Sequence, residues 1–133
     1  MSCNCGSCVS RGFICVPRGD DMSILFSVRD DDDDEFDISG ASEITFIVAA
    51  GVWIGGSITP GGAVLLEKRL TDGEITIAGT GFQFVVDIDG ADTADFTQTN
   101  NYYEVRVETS GGNAKTVSAG LFKSENTMIK DIV

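Results

Sequence analysis

Cys3, Cys5, Cys8 and Cys15 are the only cysteines in the chain, and they fall within its first fifteen residues as C-x-C-x2-C-x6-C. Four soft thiolates so close together suit a tetrahedral zinc or an iron–sulfur cluster, because sulfur donates strongly to both. The spacing departs from the two separated C-x2-4-C knuckles of structural zinc sites, since here a C-x-C pair overlaps the one C-x2-C. Two disulfides, for which four cysteines allow three pairings, and four reduced thiols are the competing states. Hard oxygen ligands form a second group. Asp30 to Asp34 with Glu35 and Asp37 could gather around calcium, and Asp87, Asp89, Asp92 and Asp95 share the D-x-D-G opening of a calcium loop. Counting from Asp87, the twelfth position that requires a bidentate Glu is Gln98, so solvated turns are expected in both places.

Catalytic constellations are missing. The chain has no His, which removes the commonest general base and the usual partner of a Ser or Cys nucleophile, so no enzyme is expected. Paired carboxylates acting on a glycosidic bond need a sugar cleft, which a small domain with one Trp and two Tyr hardly supplies. Arg18-Gly19-Asp20 matches an adhesion tripeptide, but its place at a strand entrance calls for a turn. Tyr102 and Tyr103 are expected to set one hydroxyl against backbone at a sandwich corner.

With 21 acidic and 9 basic residues the net charge is -12, which repels a phosphate backbone and excludes nucleic acid as a partner. No apolar stretch approaches the ~20 residues of a membrane span. The opening MSCNCGSCVSRGF lacks the apolar centre of a secretory signal, so synthesis in a cytoplasm is expected.

The elements that must position these residues read as strands. Residues 1–12 form an irregular Cys-rich N-terminal arm, and residues 13–133 a β-sandwich domain. Phe13 to Val16, Met22 to Arg29 and Ile44 to Ala50 are the first strands, and AGVWIGGSITPGGA is a long excursion or loose hairpin in which Trp53 is partly buried. Val64, Leu66 and Leu70 resume the alternation. Thr71-Asp72-Gly73 turns into Ile75 and Ile77, and Phe82, Phe84, Val86 and Ile88 make the clearest inward-facing set. Asp89 to Asn101 is turn-like, and Ser110 to Asn113 joins a strand with Tyr103, Val105 and Val107 to one in which Val117, Ala119 and Leu121 face the core. The tail to Val133 adds an edge strand. Short strands at regular spacing with no helical period predict an all-β fold, an immunoglobulin-like antiparallel β-sandwich, with a barrel as the alternative.

The order of RGDDMSILFSVRDDDDDEFDISGASEITFIV, VLLEKRL, GEITI, GFQFVVDIDGADTADF and YYEVRVETSGGNAKTVSAGLFK resembles the N-terminal domain of phage baseplate upper proteins and related tail-fibre attachment domains, over about residues 18 to 123. In that pattern a Gly-Asp opens a strand, D-x-S/T-G-A introduces the next, and A-D-T-A precedes an aromatic strand ending in a Gly hairpin. The resemblance implies a virion structural module present in multiple copies in a symmetric assembly. Its partners would be baseplate, fibre, neck or capsid subunits; the N-terminal arm lies outside the shared pattern, and a polar arm of this kind is expected to thread into or staple a neighbour. Capsid decoration, neck and adaptor roles are the alternatives within virion assembly, and a zinc or iron–sulfur module held by the four cysteines stands outside it.

Overall fold

Strict alternation of apolar and polar residues sends one face of each strand inward, because successive side chains of an extended chain point to opposite sides. In the computed structural model, residues 13–29, 34–79 and 81–125 are described in full and residues 8–10 by their backbone. The order of elements is β1 (Cys8–Ser10), β2 (Phe13–Pro17), β3 (Met22–Ser27), β4 (Ala41–Ile54), β5 (Ser57–Arg69), β6 (Ile75–Ile77), β7 (Gln83–Ile88), α1 (Gly90–Ala94), β8 (Asn100–Thr109) and β9 (Ala114–Glu125). They form an all-β sandwich of a six-stranded sheet, β1-β2-β9-β8-β4-β5, and a three-stranded sheet, β3-β7-β6.

The core lies where the two sheets face each other. Ile24 and Phe26 of β3 and Phe84, Val86 and Ile88 of β7 meet Ile44, Phe46 and Val48 of β4 and Tyr103, Val105 and Val107 of β8. Phe26 stacks on Phe84 with ring centroids 5.0 Å apart, and Phe46 tilts against Phe122 at 6.2 Å. Each such ring contributes about 1.5–3 kcal/mol by leaving water. Tyr103 is fully buried, and its hydroxyl is within 2.6 Å of Ser118 Oγ. Tyr102 turns the other way and donates to Glu104 Oε1 at 2.8 Å.

Lys68 shares its face of β5 with Leu66 and is only 6% exposed. Its ammonium lies 2.8 Å from Asp92 and 3.4 Å from Glu74. Burial alone would lower the Lys68 pKa, but the two carboxylates outweigh it and hold the amine more firmly protonated than usual.

Several elements differ from the sequence expectation, and in β9 it is Phe122 that enters the core, with Val117 packed against it, while Ala119 is exposed. The arm is not irregular throughout, because Cys8–Ser10 pairs antiparallel with β2. One strand pair is parallel, since β2 runs alongside β9 from Phe13↔Leu121 to Pro17↔Glu125. A short helix, α1, fills part of the expected turn after Asp89. Its start is held by the Asp92 carboxylate, which accepts the Asp89 amide at 2.8 Å. The excursion around Trp53 is a regular hairpin, and Trp53 is exposed rather than partly buried. Asp30 to Asp33 and the tail from 126 lie outside the described residues.

Candidate functional site

β4 and β5 continue well past the sandwich. β8 accompanies β4 only as far as Ala50↔Asn101, whereas the β4–β5 pairing runs on through Gly51↔Pro60 to Ile54↔Ser57. The turn is Gly55-Gly56, with φ of 60° and 84°, as a tight two-residue hairpin requires and as side chains other than glycine resist. Residues 51–60 therefore form a two-stranded ribbon, with no third strand beside it among the described residues. Burial of β4 ends at Ala49, beyond which Val52, Trp53 and Ile54 are exposed, Trp53 by 55% and Ile54 by 64%. Val64 and Leu65 extend the apolar surface along β5.

Two further properties mark the ribbon. The whole run from Ile44 to Leu66 contains no Asp, Glu, Lys or Arg, although the chain carries -12. β5, at the edge of its sheet, carries Pro60, and its ladder with β4 is irregular between Val48 and Gly51, both features that hinder strand addition. The faces of the ribbon, not its edge, are thus the surface offered. Exposed apolar surface rimmed by polar residues is a mark of contact with a protein, a membrane or a ligand. Sequence reading missed it, although the Gly-Gly pair between Val-Trp-Ile and Ser-Ile-Thr is itself a hairpin signal.

At the opposite end of β4 lies an open pocket of about 330 Å³, bordered by Phe36, Ile38, Ala41 and Val107 with Asp37 and Ser39 among its polar residues. Asp37 Oδ1 accepts the Ser39 hydroxyl at 2.6 Å and the Ser39 amide at 2.9 Å. These two bonds hold the carboxyl below the usual carboxylate range. Lys115 Nζ lies 5.5 Å from the centre of the Phe36 ring.

The residues singled out in the sequence are distributed differently. Cys15 is buried and is bonded in a disulfide. Its partner is Cys3, Cys5 or Cys8, the other cysteines of the chain, and the register sets Cys8 directly opposite Cys15. A disulfide sulfur lacks the thiolate charge that zinc or iron binds, so in this oxidised form Cys15 is not a metal ligand. The side chains of Cys3, Cys5 and Cys8 lie outside the described residues, as does most of the aspartate run. Among the described residues no three Cys, Asp or Glu side chains gather as a metal site would require. Asp87 accepts the Ser23 hydroxyl at 2.7 Å, while Asp92 serves Lys68 and the start of α1. Arg18-Gly19-Asp20 is a tight turn. The Asp20 amide bonds Pro17 O at 3.3 Å, and the Arg18 guanidinium is folded back onto the Ser124 carbonyl at 3.1 Å. Among the described residues no helix is long and apolar enough to cross a membrane. No protein-family model matches the chain, and no curated protein sequence matches it either.

Proposed function

We propose that this protein is a non-enzymatic bacteriophage virion component, an assembly module of the tail, baseplate or fibre attachment that acts through protein contacts. The observation that carries the reading is the uncharged apolar ribbon of residues 51–60, which projects from the sandwich with both faces uncovered. Such a surface disfavours a lone existence in water and is stabilised by a partner. The sequence resemblance over residues 18 to 123 supports the phage setting, and other virion subunits are the partners.

The finer architecture we assign is immunoglobulin-like of the variable type. In that fold one sheet holds strands A, B, E and D, the other holds C, F and G, and C′ adds to the second. Equating β3, β7 and β6 with B, E and D, and β9, β8, β4 and β5 with G, F, C and C′, reproduces both orders. β2 then plays the part of an A strand lying beside G.

The test is particle incorporation of a ribbon variant, Val52→Thr with Trp53→Ser and Ile54→Thr. These side chains touch no core residue cluster, so the melting temperature should stay within a few degrees of wild type. Mass spectrometry of purified virions should show the variant lost from the particle. Incorporation at the wild-type level, or absence of the wild-type protein from virions, refutes the proposal.

A further inference from the structure

The ribbon and the pocket sit at opposite ends of one strand. β4 has fourteen residues, which at ~3.3 Å each separates its two ends by roughly 40 Å. A rigid sandwich lies between them, so no chain can seat its own ribbon in its own pocket. Two copies can.

The fit is chemical as well as positional. An apolar cavity of about 150 Å³ accepts a benzene ring. The larger opening of about 330 Å³ bordered by Phe36, Ile38, Ala41 and Val107 therefore has room for an indole. An indole N–H is a donor only, and a carboxylate, Asp37, is among the pocket's polar residues to accept it. Charge decides which part of one copy can approach another. Two chains of -12 repel, and the uncharged run from Ile44 to Leu66 is where a second copy can be met without bringing acid against acid. Val52, Trp53, Ile54, Val64 and Leu65 are each 40–64% exposed, but Trp53 faces opposite to Val52 and Ile54, so one contact covers only part of this surface and stays below the ~800 Å² per partner of a standard interface.

Building on the assembly reading above, we propose that the β4–β5 ribbon of one copy seats Trp53 in the Phe36–Val107 pocket of a second copy, head to tail. The contact joins two different surfaces, so it is heterologous. It propagates into a ring if the rotation closes and into a column if it does not. A single contact of this size is weak, and ring closure strengthens the whole because each added link becomes intramolecular.

The experiment uses the whole purified chain, measured by sedimentation velocity and by the fluorescence of its only tryptophan from 1 to 500 μM, concentrations set on the order of those that reveal weak contacts. Wild type should shift to larger species with a blue shift of Trp53 emission. Trp53→Ser removes the donor. Gly40→Phe adds a bulky ring at a pocket-lining residue whose Cβ meets no atom within 4 Å, so it is accommodated without strain. Each variant alone should lose association at least tenfold, and the two mixed should form a one-to-one heterodimer and nothing larger. Three outcomes overturn the proposal: wild type that stays monomeric to the highest concentration, Gly40→Phe that associates like wild type, or a mixture that yields no heterodimer. Ribbon-dependent incorporation of a strictly monomeric protein would remove the head-to-tail contact while leaving the assembly role in place.

Discussion

Replacing Gly90 by alanine tests how the turn after β2 is clamped to α1. A Cβ at Gly90 would collide with the Gly19 carbonyl oxygen and lie 2.9 Å from its carbon. The obstacle is backbone, and it is tied down on both sides. The Gly19 amide donates to Thr93 Oγ1 at 2.9 Å, and the Gly90 amide donates to Asp21 Oδ1 at 2.6 Å. Relief requires lifting the Gly19–Asp21 turn off the helix, which breaks both bonds and leaves the fully buried Thr93 without that donor. Two hydrogen bonds at about 1 kcal/mol each, together with about 1–3 kcal/mol for the strain of overpacking, sum to about 3–5 kcal/mol. That is a large share of the stability of an ordinary domain.

Equilibrium unfolding in urea, followed by far-ultraviolet circular dichroism, measures this loss. Two comparisons isolate its cause. Gly56→Ala meets no atom within 4 Å but sits at φ 84°, so it should cost only about 1–2 kcal/mol. Thr93→Val alone removes one of the two bonds, and the double variant with Gly90→Ala should cost less than the sum, because the turn is already displaced. A Gly90→Ala protein within about 0.5 kcal/mol of wild type, or strict additivity in the double variant, refutes the clamp.

Three other outcomes follow from the described side chains. Burial and the Glu104 carboxylate push the Tyr102 hydroxyl up from 10.0 to about 12. Its contribution to stability is therefore complete below pH 10.0 and lost as the pH rises through about 12, and Tyr102→Phe should flatten the stability profile in that window; an unchanged slope contradicts the assignment. Burial would raise Glu43, but the Thr71 hydroxyl and amide, the Ile44 amide and Arg69 prevail and bring it below 4.5. Its contribution is present above pH 4.5 and disappears as the pH falls through the depressed value, so Glu43→Gln should be less acid-sensitive than wild type in urea titrations. Trypsin cleavage at Arg11 and Arg18 without reductant should leave the peptide containing Cys15 joined to the one containing Cys3, Cys5 and Cys8, with fragmentation locating the bond at Cys8. Cys15→Ala should then cost roughly 2–3 kcal/mol, and a thiol at Cys15 in freshly purified protein would contradict the structure.

The strands with apolar residues at every second position were legible because the period of two is a local property. Phe84, Val86 and Ile88 face inward as their alternation demands, and so do Ile44, Phe46 and Val48. Lys68 follows the same parity as Leu66, yet the carboxylate that makes its burial tolerable, Asp92, lies in another element and is brought near only by the fold. α1 escaped notice because five residues cannot display a 3.6-residue period, and its start depends on Asp92 closing back on Asp89. The ribbon was hidden for a different reason. Alternation reports which residues share a face, not whether a second sheet reaches far enough to cover it. Val52 and Ile54 follow the rhythm of Phe46 and Val48, but burial stops at Ala49.

The parallel pairing of β2 with β9 has a mechanical consequence. The chain enters this pair at Phe13 and leaves it at Glu125, at opposite ends of two strands running the same way. Tension drawn between the two ends slides one strand along the other. All the rungs from Phe13↔Leu121 to Pro17↔Glu125 then strain together, and the bonds of the Arg18 amide to Glu125 O and of its guanidinium to Ser124 O share the force. Pulling apart an antiparallel hairpin from its open end instead breaks one rung after another, each at low force. A sheet whose second and last strands meet in shear holds its shape under a pull along them, and yields easily only to a pull across them.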